Sequence, residues 1–197
     1  MIKRAFDLLC SLIGLLLLSP LLLLVAMAIK LDSPGPVFFR QERIGREGRP
    51  FRIHKLRSMT DRQPAQVSQI TIGADARITR VGALIRRWKL DELVQLIDVM
   101  QGTMSLVGPR PEVARYVALY PDEVAAIVLS VRPGITDPAS IHFRNENELL
   151  GGSADPEATY RDVILPEKLK LQVAYVREQS FLGDLAIIVR TVISLGR

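Results

Sequence analysis

From Leu8 to Ile29 the chain is almost wholly apolar, interrupted only by Ser11, Gly14, Ser19 and Pro20. The run is at or just above the roughly 20 residues that a bilayer-spanning helix needs. Three arrangements compete for it. A cleaved signal peptide fits poorly, because the run is too long and no small-x-small site ends it. A straight transmembrane helix follows from length alone. The third is a re-entrant helical hairpin that dips into one leaflet and returns. Ser19-Pro20 lies near the middle, where proline lacks an N–H and crowds the carbonyl four residues earlier. The Ser19 hydroxyl is placed to satisfy a freed backbone group, as lipid requires. Both flanks are basic, with Lys3 and Arg4 before the run and Lys30, Arg40, Arg43 and Arg46 after it. A spanning helix should show asymmetry between its ends. The residues by themselves leave hairpin and span open.

The 197 residues suffice for one domain, or one domain with a small appendage. The formal net charge is +5, and basic residues concentrate between Lys30 and Arg57. A basic face beside an apolar segment suits anionic lipid head groups and phosphorylated ligands. Charge alone would also suit nucleic acid, but no helix-turn-helix, zinc-finger or aromatic RNA-binding signature is present. The one cysteine, Cys10, excludes an intramolecular disulfide and a cysteine-built metal site.

Beyond the apolar run, Asp32-Ser-Pro-Gly-Pro36 reads as a stop and turn. Val37–Gln41 and Arg49–Lys55 read as short strands around the turn Gly45-Arg-Glu-Gly48. Pro64 to Gly73 reads as a loop. Apolar spacing predicts a helix over Arg80–Met100, closed by Gly102. A rigid loop, Ser105-Leu-Val-Gly-Pro-Arg-Pro111, follows. Glu112–Leu129 is predicted helical, interrupted near Pro121, and Arg132–Pro138 is a second turn-rich loop. Pro166–Gln179 and Leu182–Leu195 are predicted helices. The last has an apolar face that would suit either a membrane interface or the core.

Several residues could carry chemistry. Asp91-Glu92 follows Arg86, Arg87 and Lys89, and two carboxylates can serve two ends of one site. One can attack phosphorus while the other holds a divalent cation. An isolated Asp-Glu pair is more often a solvated helix face. In Pro109-Arg110-Pro111 the prolines fix a loop that presents an arginine, whose planar fork suits phosphate. A structural turn with an exposed arginine would look the same. Arg132-Pro-Gly-Ile-Thr136 follows the same logic. Lys55 and Arg57 alternate with apolar residues as on a strand and could neutralise a diphosphate or simply face solvent. His54 and His142 are too far apart in sequence to suggest a metal pair and read as structural.

In combination these elements resemble the bacterial monotopic phosphoglycosyl transferases, also called bacterial sugar transferases, in their minimal catalytic-domain form. The matching stretches run in order along nearly the whole chain. They are Lys3-Arg-Ala-Phe-Asp7, Ser19-Pro20, Ser33-Pro-Gly-Pro-Val-Phe-Phe39, Gln41-Glu-Arg-Ile-Gly45 and Phe51-Arg-Ile-His-Lys-Leu-Arg-Ser-Met59. Further on come Ile78-Thr-Arg-Val-Gly-Ala-Leu-Ile-Arg-Arg87, Leu90-Asp-Glu-Leu-Val-Gln-Leu96, Gly102-Thr-Met-Ser-Leu-Val-Gly-Pro-Arg-Pro111 and Val131-Arg-Pro-Gly-Ile-Thr136.

The resemblance implies a mainly helical α/β, membrane-associated monotopic domain. Residues 1–31 would form the re-entrant hairpin. Residues 32–197 would form the catalytic domain, with interfacial C-terminal helices, on the cytoplasmic face of the bacterial inner membrane. It implies transfer of a sugar-1-phosphate from a UDP-sugar to polyprenyl (undecaprenyl) phosphate, with release of UMP. Asp91 would be the nucleophile, and Glu92, with Asp91, would hold Mg²⁺. Lys55, Arg57, Arg86, Arg110 and Arg132 would face nucleotide and phosphates, and Pro109 and Pro111 would shape the nucleotide pocket. Membrane phospholipid is a further expected partner and nucleic acid is not; the oligomeric state stays open, a homodimer included.

Two positions depart from the family pattern. After Thr136 many members continue Gly-Trp-Ala-Gln, where this chain has Asp137-Pro-Ala-Ser140. Many carry Asp in the penultimate helix, where this chain has Gln172. These changes bear on sugar or acceptor recognition more than on the chemistry. The competing readings are a non-catalytic membrane module that binds nucleotide sugar, a glycosyl transferase that releases UDP, and a polybasic lipid-binding scaffold. The sequence does not name the sugar or the pathway product.

Overall fold

Helix α1 runs unbroken from Ile2 to Asp32 through Pro20 in the computed structural model, which describes residues 2–60 and 77–195. At 1.5 Å per residue its 31 residues would extend roughly 46 Å if straight, more than a hydrocarbon core is thick. Pro20 cannot donate to the carbonyl of Leu16. The Ser19 hydroxyl donates to that same oxygen at 2.8 Å, which is how the helix passes the proline. Leu9, Leu16, Leu17, Leu23, Leu24 and Met27 are exposed along its length. The helix is long and apolar enough to cross a membrane.

Both ends of α1 are nonetheless fixed to the rest of the molecule. Near the start, Lys3 pairs with Asp184 at 2.5 Å, and Arg4 donates to the carbonyl of Val99 at 2.8 Å. Asp7 accepts from the Ser105 hydroxyl at 2.8 Å. At the far end Ile29 is buried against Leu56, Ile85 and Val94. Arg57 donates to the carbonyls of Ser33 and Pro34, each at 2.7 Å, and to Ile29 at 3.3 Å.

The body that α1 grips is mainly helical, with two small sheets. β1 (Phe38–Ile44) and β2 (Pro50–Leu56) form an antiparallel hairpin closed by a 3-10 turn at Arg46–Gly48. β1 is longer than predicted, β2 has the predicted length shifted by one residue, and the turn lies where expected. The predicted loop Pro64–Gly73 lies outside the described residues.

The expected single helix over Arg80–Met100 is instead three pieces: α2 (Arg80–Arg87), a 3-10 helix (Leu90–Gln95) and α3 (Leu96–Gln101). The break is at Lys89, which adopts the left-handed conformation with φ 55°. Gly102, in the same region of φ/ψ space, ends α3 as anticipated.

β3 (Ser105–Val107) and β4 (Gly134–Thr136) pair in parallel, joining the two proline-rich loops edge to edge. Gly108 and Gly134 permit this approach. A Cβ on Gly134 would lie 2.1 Å from the Gly108 nitrogen, so neither position accepts a side chain without moving backbone. Between these strands, α4 (Ala114–Val117) and α5 (Asp122–Val128) form the predicted helical stretch, interrupted as expected near Pro121, which is the N-cap of α5.

Asp137 then caps α6 (Pro138–His142), accepting from the Ser140 N–H at 2.6 Å while Pro138 occupies the first turn. After α7 (Glu146–Gly151) and α8 (Pro156–Thr159), a π-helical turn at Tyr160–Ile164 leads into α9 (Leu165–Glu178). The chain continues into α10 (Phe181–Leu195). The last two helices fall within a residue or two of their predicted bounds. The largest core packs Val113, Tyr116, Leu150 and Ile164 against Leu169 of α9. α10 is tied to α1 by the edge-to-face pair Phe6–Phe181 at 5.3 Å. It keeps Leu182, Val189, Val192 and Ile193 exposed.

Candidate active site

The Lys89 turn redirects the chain so that Asp91 and Glu92 enter the first turn of the 3-10 helix, facing β2 and the Pro-Arg-Pro loop. Both carboxylates line a cavity of about 540 Å³. Glu92 is the best-held group in it. Its Oε1 accepts from Lys55 Nζ of β2 at 2.9 Å and, through a shorter bond, from Arg110 Nη2. Oε2 takes no part in either bond.

Asp91 is buried, with 8% of its surface exposed. Burial, reinforced by the neighbouring Glu92 charge, raises the Asp91 carboxyl above its ordinary value, against the pull of Lys55 and Arg86. Burial also works against ionisation of Glu92. There the charges and hydrogen bonds of Arg110 and Lys55 win and hold it well below its ordinary value. Glu92 in turn holds Arg110 more firmly protonated. The Lys55 ammonium is lowered by burial, which Glu92 offsets only in part.

The adjacent pair is thereby split. One carboxylate is a fixed counter-charge, and the other is buried without such a clamp among the described residues. Metal fits this set in one manner. No group of three metal-ligating side chains exists among the described residues. Two carboxylates on one cavity wall still match Mg²⁺, which takes one or two carboxylates and draws its other ligands from phosphate and water.

Lys55, Arg86 and Arg110, expected at the site, all line the cavity. Arg86 reaches the Ser58 hydroxyl at 3.5 Å. Arg110 and Glu112 face the cavity, whereas Pro109 and Pro111 are buried beside Ile44, Tyr120 and Val128. The prolines thus hold the arginine from behind. Arg57 and Arg132 are engaged elsewhere. Arg57 closes the end of α1, and Arg132 Nε donates to the Gly102 carbonyl at 2.8 Å. His54 is structural, as read, with Nδ1 2.7 Å from Asp98 Oδ1 in the core.

The cavity also holds groups the sequence reading did not select. Arg43 of β1 contacts Glu112 at 3.4 Å and the Pro111 carbonyl at 3.1 Å. Glu112 accepts from the Tyr160 hydroxyl, and Lys168 pairs with Glu146 at 2.5 Å. The period-2 pattern from Arg110 to Glu112 was the available signal for Glu112.

Asp137 and Gln172, the two departures from the family pattern, prove to be partners. Gln172 Nε2 donates to Asp137 Oδ2 at 2.9 Å, and the Arg110 N–H donates to the same oxygen at 3.1 Å. Ile188 and Val192 of α10 line the cavity with apolar surface, continuous with that helix's exposed face, while Thr191 between them pairs its hydroxyl with that of Thr136 at 2.7 Å.

A carboxylate pair split in this way, with half-buried Lys55, Arg86 and Arg110 around it, opens beside the long apolar face of α10. The family model for bacterial sugar transferases matches residues 1–197, and the chain belongs to that family.

Among its relatives is the UDP-N-acetylgalactosamine-undecaprenyl-phosphate N-acetylgalactosaminephosphotransferase of Aeromonas hydrophila. It is 38% identical over 97% of this chain and 43% of its own length. The UDP-glucose:undecaprenyl-phosphate glucose-1-phosphate transferase of Caulobacter vibrioides is 40% identical over 98% of this chain and 69% of its own. The exopolysaccharide production protein PSS of Rhizobium leguminosarum bv. phaseoli is 40% identical over 98% and 94%. The chain therefore spans less than half of the first of these relatives and nearly all of the third.

Proposed function

We propose that this protein transfers a sugar-1-phosphate from a UDP-sugar to undecaprenyl phosphate through a covalent intermediate on Asp91. The observation that carries the reading is the division of labour between neighbouring carboxylates. Oε1 of Glu92 is held by Lys55 and Arg110, and Asp91 lines the cavity with no such clamp among the described residues. An Asp91 oxygen attacks the β-phosphorus of the donor. The bond from that phosphorus to the bridging oxygen breaks, and UMP leaves with the electron pair. An oxygen of the polyprenyl phosphate then attacks the same phosphorus and expels the Asp91 carboxylate, giving a polyprenyl diphosphate sugar. Lys55, Arg86 and Arg110 offset the negative charge that gathers in both steps. Glu92, with Asp91, would hold Mg²⁺, which supplies further neutralisation of the diphosphate.

The same reading places the protein on the cytoplasmic face of the inner membrane, with α1 dipping into one leaflet at Ser19-Pro20. What supports this is that Lys3, Arg4 and Asp7 at one end, and Ile29 and Ser33 at the other, are held by one body. The acceptor lipid would approach along the apolar lip of α10. The relatives' names supply the donor and acceptor classes.

The test is nucleotide release in detergent or nanodiscs with Mg²⁺, undecaprenyl phosphate and a panel of UDP-sugars. UMP from at least one sugar, lost in Asp91→Asn, is expected. Release of UDP would mean sugar-only transfer, and binding without release would point to a non-catalytic module.

A further inference from the structure

Asp137 is 0% exposed, yet it is bonded to the stretch of cavity wall that Arg110 forms. A charge buried in this way is costly unless its oxygens are well bonded. Here they are. Oδ1 accepts from the Ser140 N–H at 2.6 Å; Oδ2 accepts from Gln172 Nε2 at 2.9 Å and from the Arg110 N–H at 3.1 Å. Capping α6 uses only the first of these bonds, and serine or asparagine would cap as well. Three donors on two oxygens call for a carboxylate, because an amide side chain has one acceptor oxygen and turns a donor to the other side.

The third donor is a special one. Proline has no N–H, so the Arg110 N–H is the only main-chain donor between Pro109 and Pro111. Asp137 takes it. The loop's other ties run to the same short stretch: the Pro109 carbonyl accepts from the Gly134 N–H at 3.0 Å, and Arg110 Nη1 donates to the Ile135 carbonyl at 3.4 Å. From that anchored main chain, Arg110 Nη2 reaches Glu92 Oε1.

We propose that Asp137 is a positioning residue of the site, fixing the main chain of Arg110 and so setting where its guanidinium meets Glu92 and the phosphates of the donor. The inference rests on the diphosphate donor proposed above. No ligand in the cavity reaches a carboxylate that is 0% exposed, so Asp137 acts on substrate through a neighbour. Gln172 is itself 3% exposed, and Ser140 meets Asp137 through its main-chain N–H. Arg110 is the neighbour that presents a charge to the cavity.

The experiment is a double-mutant cycle of Asp137→Asn and Arg110→Ala in detergent or nanodiscs, with Asp137→Ser alongside. UDP affinity is measured by calorimetry with Mg²⁺, beside UMP release from a panel of UDP-sugars and the Tm of each variant. Arg110→Ala removes the guanidinium but keeps the N–H. Damage to the fold by Asp137→Asn therefore persists in that background, whereas an effect carried by the guanidinium vanishes. Asp137→Asn should weaken UDP by about tenfold in the wild-type background and by less than about twofold in Arg110→Ala. Asp137→Ser, which keeps a cap for α6, should fold and match Asp137→Asn. Losses that multiply in the double variant would overturn the proposal. So would folded Asn and Ser variants with undiminished UDP affinity and UMP release, and so would a failure of both to fold, which would make Asp137 a support of the fold. A wild type that binds UDP but releases no UMP, with the cycle non-additive in affinity, would uphold the positioning role and sink the transferase reading. UMP release with an additive cycle would do the reverse.

Discussion

Asp91 and Glu92 share a backbone turn, yet their surroundings push their protons in opposite directions. The sign fixes a pH dependence. In the proposed mechanism the attacking form of Asp91 is the carboxylate, and burial with the Glu92 charge raises its pKa, so activity should be lost sooner as pH falls. Glu92, lowered by Arg110 and Lys55, stays ionised through that range. The acid limb of kcat/KM should therefore follow a single proton and lie above the ordinary aspartate value of about 4. Arg86 pulls the Asp91 pKa down, so Arg86→Ala should move the limb further up in a pH–rate profile. A two-proton limb at the ordinary value would mean that both carboxylates titrate alike. The sequence displayed this pair, together with Lys55, Arg86 and Arg110, but not the split between its members. The split depends on Lys55 and Arg110 converging on one oxygen from elements 37 and 18 residues away.

Among the elements, the hairpin β1–β2 and the helices α9 and α10 were legible because their signals are local: alternation, turn residues and apolar spacing. The break in Arg80–Met100 was not. Apolar positions keep helical spacing across Lys89, and nothing in a lysine announces a left-handed residue. The pairing of β3 with β4 was also hidden. Three-residue strands carry no periodicity, and their contact spans two separate loops. Arg57 shows the limit of strand reasoning. It shares the parity of Lys55, but β2 ends at Leu56, and the next residue turns to the carbonyls at the end of α1. At this scale Arg57→Ala should act on stability. It strips donors from buried carbonyls of Ile29 and Ser33, at a cost of about 2–4 kcal/mol, seen as a lower Tm. An unchanged Tm with a raised KM for the UDP-sugar would return Arg57 to the substrate.

For the whole molecule, the governing fact is that an exposed apolar helix has both ends bound to one body. Hydropathy revealed the helix, whereas the contacts of Lys3, Asp7 and Ile29 lie beyond any local pattern. In a Cys10→Ser background, cysteines at the exposed positions Ile2 and Leu31 should both react with a membrane-impermeant maleimide in inside-out vesicles. Neither should react in right-side-out ones. Labelling of one from each side would establish a spanning helix. The proposed covalent intermediate would let one cavity of about 540 Å³ serve both a soluble nucleotide sugar and a lipid, because the two need not be bound at once. The most direct measurement is to mix the protein with Mg²⁺ and UDP-sugar labelled in the β-phosphate, without polyprenyl phosphate, and to locate label on the chain. The account predicts label on the peptide bearing Asp91, absent in Asp91→Asn and discharged when polyprenyl phosphate is added. Transfer of label to the lipid at full rate, with none ever found on the protein, would contradict it.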